Sequence, residues 1–150
     1  MKHSWPCRLL ITGMALGIGL GICGCASMET RSVLAGPDLA LTNLSGPASA
    51  ARGATIEVIH TTKNIGTLPA SSSTSRFYLC TNTVASGSQI NQQTVPALAV
   101  NAIVTLTNNT FTIPSLTPLG TNYIIGVCGF GITDSNPSNN TNSTPIIITE

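Results

Sequence analysis

From Pro37 to the end of the chain, apolar and polar residues alternate in short runs, and Gly, Pro and Asn break those runs. Successive side chains of a strand point to opposite faces, so this alternation predicts strands with one buried face. The clearest run is Thr55 to Lys63. Ile56, Val58, His60 and Thr62 share one face, and Glu57, Ile59, Thr61 and Lys63 share the other. Pro37 to Leu41 reads as an opening edge strand, where a proline is tolerated. Turns follow at Ser45-Gly46-Pro47 and Arg52-Gly53, and Asn64-Ile65-Gly66 closes the central run. Further strands are predicted at Thr74–Cys80, with Phe77 and Leu79 inward, at Thr94–Val100, and at Ile103–Ile113. Asn122–Phe130 follows, with Tyr123, Ile125 and Val127 on one face, and Pro145–Thr149 comes last. Thr81–Gln93 is polar, with Gly87, and reads as an irregular loop with a short strand as the alternative; Asp134–Thr144 is polar and reads as a loop.

No helical period appears after residue 25. Short strands separated by Gly/Pro turns predict an all-β fold, an immunoglobulin-like antiparallel β-sandwich of about seven strands. A small closed barrel is the alternative. The expected core is Leu39, Ile56, Val58, Phe77, Leu79, Leu98, Phe111, Tyr123, Ile125, Val127 and Ile147. Each such side chain contributes ~1.5–3 kcal/mol on burial, before chain entropy is charged.

The first residues follow another pattern. Lys2 and Arg8 precede an uncharged apolar run, Leu9 to Ile22, which ends at Ile22-Cys23-Gly24-Cys25. The run is short for a membrane span, which needs ~20 apolar residues, and suits the core of a cleaved export signal. It resembles a bacterial lipoprotein signal, with Cys25 as the lipidated residue. Cys23 is the rival acceptor, but it would put Ile22 at a position that takes a small residue. Ala26 follows Cys25, and the absence of aspartate there resembles an outer-membrane address. The resulting organisation is a signal peptide at 1–24, a lipidated tether at 25–36 and one domain at 37–150. The eleven residues from Ala26 to Gly36 reach at most ~40 Å, which holds the domain near its membrane.

Composition narrows the partners. Without residues 1–24, four basic and five acidic residues remain, a net charge of −1. No basic patch exists to hold phosphates, so nucleic acid is not an expected partner. Ser, Thr and Asn supply the polarity instead. The sole tryptophan, Trp5, lies in the signal.

Several segments together resemble the CARDB domain, a bacterial cell-adhesion-related module with an immunoglobulin-like sandwich. They are Pro37-Asp38-Leu39, Lys63-Asn64-Ile65-Gly66 with Ala70, Phe77-Tyr78-Leu79, Val95-Pro96-Ala97-Leu98, the stretch Tyr123, Gly126, Cys128, and Asn136 with Asn139-Asn140. The resemblance spans about residues 37–149. Relatives often carry acids in the two loops that here lack them, apart from Asp134. Calcium takes several oxygen ligands, so no metal and no cofactor are expected.

Cys80 and Cys128 are the cysteines left after Cys25. Relatives often pair the latter position with a cysteine just after Asn-Asn, where this chain has Thr141. Both cysteines fall on the outward parity of strands that neighbour each other in such a sandwich, so a Cys80–Cys128 disulfide is a candidate. Both lie late in their strands, which strains the register, and two quiet thiols are the alternative. His60, without a second histidine or a nearby carboxylate cluster, reads as a packed, hydrogen-bonded core residue rather than a ligand or base. No nucleophile elbow and no paired carboxylates appear, so no catalytic residue and no enzyme activity are expected. Of the exposed aromatics, Tyr78 alone faces outward on a strand, a thin basis for a sugar platform.

The expected function is therefore a membrane-anchored, non-catalytic lipoprotein binding module of the cell envelope, with a protein or cell-surface polymer as partner. A structural accessory lipoprotein of the periplasm is the alternative, and a ligand-binding or hydrolytic lipoprotein comes third. The loops Thr81–Gln93 and Asp134–Asn142 are the expected contact surfaces, because loops of a sandwich carry function. The last strand is a second option, through pairing with a partner's strand.

Overall fold

Ten alternating residues, Thr55–Asn64, form β3 and make the spine of the smaller sheet. The computed structural model describes residues 35–150, so the expected signal peptide, the expected lipidation site Cys25 and nearly all of the expected tether lie outside the described residues. β1 (Leu39–Ser45) and β6 (Ile103–Thr112) pair antiparallel with β3 on either side. The second sheet runs in the order β2 (Ser49–Ala51), β8 (Thr141–Thr149), β7 (Gly120–Phe130), β4 (Ser73–Cys80), β5 (Ser88–Val95). The two ladders are separate, so the architecture is an immunoglobulin-like sandwich and not a barrel.

The structure corrects the sequence reading on β7 and extends it at β2 and β5. There are eight strands, because β2 forms from three residues and lies parallel to the end of β8. β5 occupies much of the stretch read as a loop. Its sequence, SQINQQTV, lacks the apolar alternation of a strand, yet it pairs with β4 from Val95 to Ser88. On β7 the buried face is the opposite one. Ile124, Gly126 and Cys128 point inward, while Tyr123 and Val127 are half-buried on the outside. Gly126 is what allows this. A Cβ there would sit 2.8 Å from Leu41 Cδ2 and 3.3 Å from Phe77 Cε1, so its missing side chain makes room for the core.

The core forms two apolar clusters. One gathers around Phe77, Ile113, Ile124 and Ile146. The other gathers around Leu39, Leu41, Val95, Leu98 and Cys128. Central strands β3 and β4 carry polar inner residues where the two clusters meet. His60, Thr62, Ser73 and Ser75 are all buried, and their side-chain polar atoms have no protein partner. His60 touches Phe77 of the first cluster, and Thr62 is in register with Leu41 of the second.

Side chains close the two sides of the sandwich. On one side Asn91 Nδ2 of β5 donates to Thr110 O (2.8 Å), and Gln93 Nε2 donates to Thr107 O (3.2 Å), both on β6. On the other, the free edge of β1 is met from the larger sheet. Leu39 N donates to Asp134 Oδ2 (2.8 Å), and Leu39 O accepts from Cys128 Sγ (3.2 Å). Asn142 Nδ2 donates to Leu41 O (3.1 Å).

Candidate functional site

The strands give the domain two ends, about 30 Å apart over the length of β3. At the end where the chain enters, polar side chains tie loops to strands. Asn64 is fully buried and uses its whole amide. Its Oδ1 accepts from Asp38 N (3.2 Å) and Gly66 N (3.0 Å), and its Nδ2 donates to Leu68 O (2.9 Å) and Leu98 O (3.1 Å). Gly66 is required beside it, because a Cβ would collide with Gly36 O and Asp38 N. The loop expected to bind a partner, Asp134–Asn142, is locked into the same end. Asp134 holds Leu39 N and Asn136 N, Asn139 Nδ2 donates to Asp38 Oδ1 (2.8 Å), and Ser135 N donates to Pro37 O (2.9 Å). A turn of 3₁₀ helix, Pro137–Asn139, leads into β8. This loop is a brace for the fold, and deletion of its tip would unfasten β1.

The far end is freer. The true β4–β5 loop is Thr81–Gly87, exposed throughout, with Val84 62% exposed. Beside it the β6–β7 loop carries Leu116, 90% exposed. Between the loops lies a shallow depression of about 240 Å³, lined by Leu79, Ile90, Pro114, Leu116 and Asn122 among others. The last strand is not a free edge along its C-terminal part, where Ile147, Ile148 and Thr149 pair with β2.

The two cysteines are free thiols and are not brought together. Cys80 is in register with Tyr123, on the outer face of β7, and lies beneath the turn at Gly87, whose N–H donates to Sγ (3.2 Å). Cys128 is on the inner face, five residues further along β7. That offset is roughly 17 Å along a strand, whereas a disulfide needs Cα atoms within about 7 Å. Burial first, and then the charge of Asp134 and that of Asp38, push the Cys128 thiol up to about 12. Such a thiol carries almost no thiolate and is inert.

His60 is packed in the core, as expected, but makes no hydrogen bond at either ring nitrogen. Its ring meets Phe77 edge-on at 5.0 Å. Burial lowers its pKa to about 4, so it is neutral at physiological pH. Among the described residues no group of three or more His, Cys, Asp or Glu side chains gathers as a metal site would require.

The outer face of the larger sheet is different in character. Thr74, Arg76 and Tyr78 of β4 lie on it, opposite Tyr123, Ile125, Val127 and Phe130 of β7. The Arg76 guanidinium stacks on the Phe130 ring, 4.1 Å from its centroid, a cation–π contact.

The family model for CARDB matches residues 36–144. The chain belongs to the CARDB family. Two solved structures of one CARDB domain from Pyrococcus furiosus share its fold. Its crystal structure, in complex with di-metal ions, is 21% identical with a TM-score of 0.58, covering 75% of this chain and 89% of that one. Its solution NMR structure is 20% identical with a TM-score of 0.56, covering 75% and 94%. A beta-glucosidase from Listeria innocua in complex with isofagomine has a TM-score of 0.50 at 17% identity. There the likeness covers 75% of this chain but 16% of the enzyme. No curated protein matches the sequence. A CARDB domain is a non-enzymatic, adhesion-type module and fits a non-catalytic binding role. Within this CARDB domain the motif residues mostly serve the fold. Asn64 and Gly66 close the entry end, Phe77 and Gly126 interlock, and Asn139 clamps Asp38.

Proposed function

We propose that this CARDB protein is an exported, lipid-anchored, non-catalytic binding module of the bacterial cell envelope. The observation that carries this reading is a CARDB sandwich preceded by a sequence of lipoprotein type ending at Cys25. The anchor enters at one end of the domain, and the exposed Val84 and Leu116 stand at the other, about 30 Å away. A short tether then leaves the far end and the sheet faces as the surfaces that meet a partner. The adhesion role carried by the family name is the finer form of the same reading, as is an outer-membrane address.

The test is metabolic labelling with a palmitate analogue in a bacterial host, followed by membrane fractionation. The wild-type chain takes up label and sediments with the outer membrane, and Cys25→Ser abolishes both. Label retained in Cys25→Ser but lost in Cys23→Ser would move the anchor. No label in any form would overturn the lipoprotein reading.

A further inference from the structure

The end where the chain enters the domain is apolar where it meets solvent. Ile65 (46% exposed) and Leu68 (49%) stand in the loop after β3, and Val100 (40%) and Ile103 (59%) stand at the turn into β6. Asn64 holds the two loops side by side. Its Nδ2 donates to Leu68 O and Leu98 O, and its own carbonyl accepts from Asn101 N (2.9 Å). Neither 65–72 nor 95–102 contains a charged residue. The carboxylates at this end, Asp38 and Asp134, are engaged by Asn139 Nδ2 and by the N–H groups of Leu39 and Asn136.

Two observations choose what covers these side chains. The first is position. Gly36 is itself part of this end, since its carbonyl accepts from Thr67 N (2.9 Å) and Leu68 N (3.3 Å). The residues from Ala26 to Gly36 join it to Cys25. A flexible chain of that length averages roughly 20 Å end to end, so an acylated Cys25 keeps this end nearest the bilayer. The second is hydrogen bonding. Every backbone N–H from Ile65 to Ala70 already donates inside the domain, to Asp38 O, Asn64 Oδ1, Gly36 O or Leu98 O, and Pro69 has none. Hydrocarbon offers backbone groups no partner, so a loop enters its boundary only when its own bonds are made. A protein partner would bring about one hydrogen bond for each 100–200 Å² of interface, and this loop keeps no N–H to meet it.

We infer that this end is a second membrane contact, in which Ile65, Leu68, Val100 and Ile103 seat in the headgroup boundary of the bilayer that carries the anchor. The inference rests on the lipid-anchor reading and goes beyond it, because a tether alone leaves the domain free to tumble. The full-length protein is reconstituted into vesicles of phosphatidylethanolamine and phosphatidylglycerol that contain a nitroxide-bearing lipid. An environment-sensitive dye is placed by Leu68→Cys or Val100→Cys, and by Val84→Cys or Leu116→Cys at the far end. Cys80 and Cys128 are buried and stay unlabelled in the folded protein.

The expected result is quenching at 68 and 100 at least threefold that at 84 and 116, which stand about 30 Å away. It should not change between 0.15 M and 1 M NaCl, because the contact is apolar. Each of the four side chains is about half exposed, so Ile65→Ser and Leu68→Ser should each lower the seated-to-lifted ratio about three- to tenfold, read by the dye at 100. Far-UV circular dichroism checks that these variants fold.

Acylated protein that floats with the vesicles but shows equal quenching at both ends overturns the inference and leaves the anchor reading standing. So does quenching at 68 and 100 that the serine variants leave intact. Quenching at 68 and 100 in protein whose intact mass carries no acyl group upholds the membrane contact and overturns the anchor. Neither quenching nor acylation overturns both. A photo-crosslinker at position 68 that captures a protein on intact cells, a second copy included, also overturns the membrane contact.

Discussion

Acidification should destabilise this domain through one residue, His60. The ring is fully buried, neither nitrogen is hydrogen-bonded, and burial holds its pKa at about 4 against an ordinary value of 6.5. The unfolded chain therefore binds a proton between these two values that the folded chain refuses. Stability is complete above pH 6.5, falls as the pH drops from there, and levels off below the folded value of about 4. A depression of this size corresponds to a loss of about 3 kcal/mol, at 1.36 kcal/mol per unit. Domains of this kind are stable by roughly 5–15 kcal/mol, so the loss is a large share of the total. The assay is urea unfolding at pH 7, 5.5 and 4, followed by far-UV circular dichroism. His60→Leu should keep the packing on Phe77, remove two unpartnered nitrogens, and flatten the dependence across that range. A wild-type midpoint that does not move between pH 7 and pH 4 would refute the reasoning. An equal slope in His60→Leu would refute it too, by moving the proton to another group.

Asn64→Ala removes the four hydrogen bonds of a fully buried amide, so a loss of roughly 3 kcal/mol is expected in urea unfolding. Gly126→Ala drives a methyl against Leu41 and Phe77, and about 1–3 kcal/mol of overpacking should appear as a lower melting temperature. Cys80 and Cys128 should both react with iodoacetamide under denaturing, non-reducing conditions and resist it in the native state, as read by intact mass; a mass two hydrogens low would show a bridge instead.

The fold was legible where one face of a strand is apolar and the other polar. β3 and β4 have that form, and their buried positions alternate as read. β5 was hidden because its sequence is mostly amide and hydroxyl. Its place comes from pairing with β4 and from side chains that reach β6, neither of which leaves an apolar period. β7 was ambiguous because both of its faces carry large apolar residues. The sequence reading places Tyr123, Ile125 and Val127 inward, which leaves Asn122 and Gly126 on the other face. Yet Asn122 spends its amide on Pro118 O and Gly120 O, and the gap at Gly126 is filled by side chains from β1 and β4. That inverted parity also took Cys128 from the surface to the interior, and with it the candidate bridge. The aromatic row on the outer face of the larger sheet was illegible for the same reason, since Tyr123 joins it only with this parity. The Asp134–Asn142 loop was read as functional because loops of a sandwich carry function, but Asp134 and Asn142 bond the backbone of β1 and Asn139 bonds the Asp38 side chain.

The side-chain seams along β1 and β6 bear on how such domains behave when crowded. An open strand edge is a template on which a second copy can lay its own strand. Here the carbonyls of Leu39, Leu41, Thr107 and Thr110 are already occupied by groups of the same molecule. The edge of the larger sheet at β2 is three residues long. Many copies held shoulder to shoulder would thus slide past one another as separate bodies, and a dense layer of them would stay fluid and unfused.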